Sequence, residues 1–295
     1  MTLLITLLPA LLWGFTPVFV HFLGGKPIEQ LLGTTYGGLV IGLIIFLIKR
    51  PTITFWDFFW CCIGGAFWSV GQLAQYHAYN RLSVSTTSPI NSGVQLVGVN
   101  IVGVLFFGSW ASPLAKIIGF SAVAFIIFGV YVSTRGGKKT PLKSTYIQKK
   151  QFAANVTKLI LGAGIGYTIC STFPRIPDAS GWVTFPSQTV GMFLGAVILA
   201  LMSKKDRHWN VFFNKSAFLN IIEGFNSSLG TFFYQTAMML TSVSTAFTLS
   251  QMTPVISTIC GLTILHERKH GKTLFYTLSG VSVIVVGGIM TSFLR

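Results

Sequence analysis

The chain has 295 residues, of which 52% are hydrophobic and only 9% charged, and its mean hydropathy is +0.69. That profile excludes an ordinary water-soluble protein of this length and makes lipid the solvent for most of the surface. The net charge of +15 would suggest nucleic acid in a soluble protein, but here the 21 basic residues sit mainly at the ends of apolar runs, as topology signals and lipid-headgroup contacts, so no nucleic-acid partner is expected.

The apolar runs are about 20 residues long, the length with which an α-helix crosses roughly 30 Å of hydrocarbon. Helices are indicated over barrel strands, because runs such as Ile117–Val132 and Val281–Ile289 are apolar on every face. In chain order the predicted spans are Thr2–Phe22, Ile28–Ile48, Phe58–Tyr79, Val84–Gly108, Leu114–Ser133, Lys158–Arg175, Trp182–Ser203, Ala217–Leu240, Val243–Leu265 and Thr273–Phe293. The first lacks the basic n-region of a signal peptide and is too long for its h-region, so it reads as a retained span. The sixth is rich in glycine (Gly162, Gly164, Gly166) and ends in Pro174 and Pro177. It reads either as a broken, substrate-facing helix or as one packed closely through small residues. Cys61, Cys62, Cys170 and Cys260 lie inside apolar runs and read as packing residues, without disulfide, metal or redox roles.

Sixteen of the basic residues fall on one side of this arrangement and five on the other. The positive-inside rule therefore puts the basic loop 135–157 in the cytoplasm and both termini outside. That loop is the longest polar stretch, so the chain divides into a first five-helix repeat (1–134), a cytoplasmic linker (135–157) and a second five-helix repeat (158–295). Internal similarity agrees. At a shift of 159 residues Ser69, Gly71, Ala78, Ser83, Val84, Ser85 and Thr86 meet identical residues at Ser228, Gly230, Ala237, Ser242, Val243, Ser244 and Thr245; at a shift of 154, Thr35 and Gly37 meet Thr189 and Gly191. Five is odd, so the second repeat enters the membrane inverted. The expected fold is all-α, ten transmembrane helices as two inverted repeats, with a substrate site near the midplane.

Polar side chains inside such spans belong on interior faces. Trp68, Gln72, Gln75 and Tyr79 form one stripe, Asn91 and Gln95 lie one turn apart on the next span, and Glu223, Asn226, Ser227 and Gly230 form a stripe in the second half. With Trp13, Gln188 and Gln251 they give the predicted substrate-binding set: Trp13, Trp68, Gln72, Asn91, Gln95, Gln188, Asn226 and Gln251. Amides, hydroxyls and aromatic rings suit a neutral sugar, whose hydroxyls both donate and accept and whose C–H face packs on a ring. Glu223 and His77 are the candidates for proton coupling, each with an interfacial or structural reading beside it.

His266-Glu267-Arg268-Lys269-His270 matches the HExxH pattern of zinc metalloproteases. Two cations inside the motif, Gly271 after it and its place at a membrane edge argue against zinc, so a metalloprotease is kept only as a remote alternative and no metal is expected. With no nucleotide-binding or nucleophile-elbow motif in the chain, neither enzyme activity nor a cofactor is expected.

Leu8-Pro9-Ala10-Leu11-Leu12-Trp13-Gly14, Leu32-Gly33-Thr34-Thr35-Tyr36-Gly37, Pro89-Ile90-Asn91-Ser92-Gly93-Val94-Gln95-Leu96-Val97, Pro186-Ser187-Gln188-Thr189-Val190-Gly191-Met192 and Leu249-Ser250-Gln251-Met252 occur in order along the chain. In these motifs it resembles the bacterial glucose/ribose porter family of the drug/metabolite transporter superfamily, over essentially its whole length. The resemblance implies a ten-helix carrier in the bacterial cell membrane importing glucose or ribose, with proton coupling left open. It also implies that Glu267, Arg268 and Lys269 are a recurrent acidic-basic ending of the ninth span. Export of small metabolites or drugs, which related folds perform, is the alternative within transport.

Overall fold

The computed structural model describes residues 2–108, 110, 112–135, 146–203, 209–240, 246, 249–250 and 252–292, and its regular elements are helices. They are α1 Thr2–Leu23, α2 Pro27–Lys49, α3 Phe55–Arg81, α4 Val84–Phe107, α5 Pro113–Arg135, α6 Tyr146–Thr172, α7 Gly181–Met202, α8 Asn210–Phe213, α9 Lys215–Leu219, α10 Ile221–Leu240, α11 Thr253–Thr263 and α12 Lys272–Ser292. Seven of them, α1, α2, α4, α5, α6, α7 and α12, are long and apolar enough to cross a membrane. α3 and α10 are as long but carry the polar stripes; α11 is a shorter apolar helix. This is a multi-helix membrane architecture.

Local sequence sets several ends. Pro27 starts α2, and the Glu29 carboxylate accepts from the Lys26 backbone N–H at 2.8 Å. Thr54 and Asp57 cap α3 reciprocally, Asp57 N–H donating to Thr54 Oγ1 and Thr54 N–H to Asp57 Oδ2, each at 3.1 Å. Arg50 ends α2 in the left-handed region.

The described helices lie within or over the predicted spans; of the ninth (Val243–Leu265) only Thr253–Thr263 is a described helix element, and two others change form. α6 runs unbroken from Tyr146 to Thr172 and is followed by a 3-10 turn, Phe173–Arg175, so residues 146–157, expected in the linker, are its first turns, and of the two readings of the sixth span the broken one is corrected. Its glycines are contact points: a Cβ on Gly162 would stand 2.5 Å from Ala74 Cβ, on Gly164 2.7 Å from Val94 Cγ1, and on Gly166 2.5 Å from Gly71 N. The eighth predicted span is interrupted at Asn220, between α9 and α10. Asn220 is fully buried and its amide donates to the carbonyls of Gly24 (3.0 Å) and Ser216 (2.8 Å), so the interruption is held by a side chain bridging to the end of α1. The central part of the linker (136–145) and the repeat residues Ser242–Thr245 lie outside the described residues.

The packing pairs α1 with α10 and α11, α6 with α3 and α4, α2 with α7 and α10, α3 with α7, and α5 with α12. Small residues set the distances. A Cβ on Gly37 would stand 2.5 Å from the Ile221 carbonyl and 2.7 Å from Gly224 Cα; one on Gly191 or Gly65 would overlap the carbonyl of Cys62 or of Gln188. The GxxxG pairs at Gly33–Gly37, Gly38–Gly42 and Gly191–Gly195 thus face helices of the same chain. Leu43, Leu47, Leu105, Phe106 and Phe120 face outward toward lipid, and Phe55, Trp56, Phe59 and Trp60 form a stacked aromatic cluster at the start of α3, as at a membrane interface.

Gly191→Ala is expected to destabilise the protein by about 1–3 kcal/mol, because the added methyl meets backbone that cannot swing away. Gly38→Ala, whose methyl would make only ordinary contacts at 3.7 and 3.8 Å, should stay within about 0.5 kcal/mol of the parent. Thermal unfolding of the two variants in detergent reads the difference.

Candidate functional site

Two polar clusters meet in the interior. The first joins α1 to α10. Glu223 is fully buried, in the first turn of α10, and its carboxylate accepts from Thr16 Oγ1 at 2.8 Å, from Ser227 Oγ at 2.5 Å and from Asn226 Nδ2 at 3.1 Å. Asn226 Nδ2 also donates to the Leu12 carbonyl at 2.9 Å, and Trp13 Nε1 to the Ser227 carbonyl at 3.1 Å. The Trp13 ring lies over Gly230 and 5.7 Å from the ring of Tyr234. Spacing explains the convergence: 223, 226, 227 and 230 share one helix face, and α1 presents Leu12, Trp13 and Thr16 to it.

The second cluster joins α3 to α6 and α2. The Tyr167 hydroxyl lies 2.7 Å from Gln72 Oε1 and 2.6 Å from Gln75 Oε1, while Gln75 Nε2 donates to Tyr79 Oη at 2.7 Å. Tyr76 and Thr34 share a hydrogen bond at 2.8 Å between their hydroxyls. One phenol has one proton, so only one of the two amide oxygens can accept it at a time. The other needs a turned amide or a further donor. Tyr79 faces Ser88 of α4, on which Asn91 Oδ1 and Thr87 Oγ1 are buried without a partner among the described residues. The charge of Glu223 acts at a distance on both Tyr76 and Tyr79.

Of the predicted site residues, Trp13, Gln72 and Asn226 fall in these clusters, and Asn91 lies on α4 a turn beyond Ser88. Trp68 and Gln95 are half-buried and have no hydrogen bond to either cluster among the described residues. The Gln188 amide donates to the Cys170 carbonyl at 2.8 Å, and the residue stands against Gly64 and Gly65 of α3. Gln251 lies outside the described residues. Glu223 is central, whereas His77 is exposed on the opposite face of α3. Thr16, Thr34, Gln75, Tyr76, Tyr79 and Tyr167 complete the interior. Of these the sequence stripe had marked only Gln75 and Tyr79, and a tyrosine in a glycine-rich span carried no separate signal.

The HExxH segment is not a helix. His266 has φ 52°, and the motif runs through the loop between α11 and α12. Its Glu267 carboxylate accepts from the N–H groups of Val84 and Ser85 (3.1 Å for Ser85) and from Ser85 Oγ, capping the N-terminus of α4. Lys269 Nζ donates to Thr86 Oγ1 and Thr277 Oγ1, both at 3.1 Å. The metalloprotease alternative is thus corrected: its supposed base is committed to a helix end, and among the described residues no three His, Cys, Asp or Glu side chains gather as a metal site. The clamp also fixes the helix that carries Ser88 and Asn91.

A family model described as Sugar transport protein matches residues 4–294. The chain is 34% identical over 291 residues to a relative named as a sugar uptake protein in Listeria monocytogenes, covering 98% of each. It is 34% identical over 297 residues to one named for ribose uptake, RbsU, in Latilactobacillus sakei, covering 99% of this chain and 98% of the relative. To the glucose uptake protein GlcU of Bacillus subtilis it is 34% identical over 292 residues, covering 98% and 97%. A solved crystal structure, matched over 98% of this chain and 95% of its own, superposes with a TM-score of 0.61 at 16% identity, which shows a shared fold.

The clamp has a pH signature. Burial pushes the Lys269 ammonium down from its ordinary 10.5 to about 8, against the pull of Glu267. The folded protein then binds this proton less tightly than the unfolded chain, so Lys269 contributes stability that rises with pH between about 8 and 10.5. The unfolding midpoint of the parent should therefore gain on that of Lys269→Met as pH rises through this window. A constant difference between them from pH 7 to 10.5 would contradict it.

Proposed function

The chain belongs to the sugar transport protein family, and from that premise we propose that it imports a neutral monosaccharide, glucose or ribose, by alternating access in the bacterial cell membrane. The observation that carries the reading is the Tyr167 cluster, where two amide oxygens compete for one phenolic proton beside a buried aromatic face. A sugar hydroxyl supplies the missing donor and accepts from the freed amide, which an apolar drug cannot do. The pocket is drawn with Gln72, Gln75, Tyr79, Asn91 and Tyr167 on one side and Trp13 and Asn226 on the other. Trp68, Gln95 and Gln251 are kept as further lining, whereas Gln188 is taken to hold helices together.

We further propose ten spans as two inverted five-helix repeats, with α8 and α9 as an entry to the eighth. The contacts support it by exchange. Shifts of 154 for the first two helices and 159 for the third carry the Gly37–Ile221 contact onto Gly191–Cys62, and Gly224–Thr34 onto Gly65–Gln188. Trp13 over Gly230 maps onto Tyr167 beside Gly71, whose added Cβ would stand 3.2 Å from that ring. Pairing of α1 with α10 likewise maps onto α6 with α3. Such symmetry offers two near-equivalent packings, one open to each side. Gln72, Asn91, Tyr167 and Asn226 are buried and Trp13, Gln75 and Tyr79 half-buried, so a ligand reaches the whole set only when helices part. The charge distribution favours the termini outside and loop 135–157 inside.

Glu223 is the proposed proton carrier, and His77, outside the cleft, is not. The hydroxyls of Thr16 and Ser227 can donate to a carboxylate or accept from a carboxylic acid, so either protonation state finds partners in place.

Reconstituted protein should accumulate radiolabelled glucose or ribose in proteoliposomes, faster with an inward proton gradient; uptake of neither by a folded preparation would overturn the substrate assignment. Glu223→Gln should abolish gradient-driven accumulation and leave sugar-for-sugar exchange within about threefold of the parent. Unchanged accumulation in that variant removes Glu223 from the coupling.

A further inference from the structure

A second binding region lies on the far face of α3. Residues 68, 72, 75 and 79 look toward the interior, whereas 70, 73, 74, 77 and 81 lie about half a turn away and border a cavity of about 340 Å³ formed with α6 and Leu199 of α7. That volume is within the range of small-molecule sites.

The cavity is divided chemically along the helix axes. Its body is apolar, formed by Val70, Leu73, Ala74, Gly162 and Leu199. Gly162 keeps it open at the floor, where the helix backbone of α6 runs closest to Ala74. Its rim, at the end of α3 and the first half of α6, holds Arg81, Lys158, His77 and Asn155. Arg81 Nη1 donates to Asn155 Oδ1 at 3.4 Å, and no carboxylate is among the residues lining the cavity. Two fixed cations therefore border one opening, one of them bonded to a neutral acceptor. An apolar slot that continues into the hydrocarbon below a basic rim matches one kind of molecule: acyl chain below, phosphate above.

We propose that this groove binds one anionic phospholipid, its phosphate between Arg81 and Lys158 and an acyl chain against Leu73, Ala74, Gly162 and Leu199. A soluble phosphate ion would satisfy the rim but leave the apolar body empty, and a zwitterionic lipid would bring its own cation to a site that already has two. The site shares α3 and α6 with the sugar cleft but none of its side chains, and the assignment holds whatever the transported substrate is.

Native mass spectrometry of the full-length protein, released from detergent after incubation with equal amounts of phosphatidylglycerol and phosphatidylcholine, tests it. One phosphatidylglycerol should remain bound, and the double variant Arg81→Gln with Lys158→Gln should retain at least about tenfold less. Both side chains are exposed, so the double variant should keep the parent's unfolding midpoint, which is measured alongside. A control at two basic residues away from the groove, Lys116→Gln with Lys215→Gln, should retain the lipid as the parent does. Equal retention of phosphatidylcholine, an undiminished phosphatidylglycerol adduct in the Arg81 and Lys158 variant, or an equal loss in the control would overturn the proposal. So would displacement of the lipid by millimolar inorganic phosphate, which would mark a free-anion site.

Discussion

In hydrocarbon, two helices gain nothing by hiding apolar side chains from each other, so the bundle depends on how closely backbones approach. Beside the close crossings of α3 on α6 and α5 on α12, two others are α2 on α10 and α3 on α7. Gly37 and Gly224 face each other at the first, and Gly65 and Gly191 meet opposing carbonyls at the second. These crossings fix four helices as a frame. α1 and α6 then lie against the frame, α1 on α10 and α6 on α3, and the polar clusters form along those two contacts. Gly224 lies next to Glu223 and Gly166 next to Tyr167, so each polar residue is set by the close crossing beside it.

The spans were legible because membrane length and hydropathy leave few alternatives, and the stripe on α3 was legible because helical spacing puts Gln72, Gln75 and Tyr79 on one face whatever packs against it. What periodicity cannot name is the partner. Thr16 and Tyr167 decide the chemistry of both clusters, yet each sits in an apolar run that reads equally well as packing. The same blindness explains Gln188: it was expected in the pocket from its chemistry, but the carbonyl of Cys170 takes up its amide. The polar residues 146–157 read as linker, although a helix that leaves the membrane has no reason to stop at the interface. The HExxH spacing was informative only if the segment is helical. A left-handed His266 and a carboxylate bonded to α4, more than 180 residues earlier in the chain, remove that condition.

On the inverted-repeat reading, Trp13 and Tyr167 occupy matching places, and the difference between them is the difference between the two arms of the site. An indole N–H donates only, and here it is spent on a backbone carbonyl, so the first arm offers a ring and an acid. A phenol both donates and accepts, and here it is set between two amides that can each do the same by turning, so the second arm offers hydrogen bonds that can be re-paired. A repeat that were symmetric in chemistry as well as in backbone would have two equal half-sites. This one divides the work.

The division bears on how an acid and a neutral ligand can be linked at all. Glu223 carries no group that a sugar must touch, and its own partners, Thr16, Ser227 and Asn226, already fill it. What it shares with the phenol cluster is its field, which reaches Tyr76 and Tyr79. A negative charge held near phenols favours orientations in which their O–H dipoles turn toward it, and neutralising that charge releases them toward whatever acceptor is next. On the coupling proposed for Glu223, a proton there need not move along a chain of residues to be felt at the amides. It has only to change which way Tyr76 and Tyr79 point their single donors, in a cluster where donors are the scarce group.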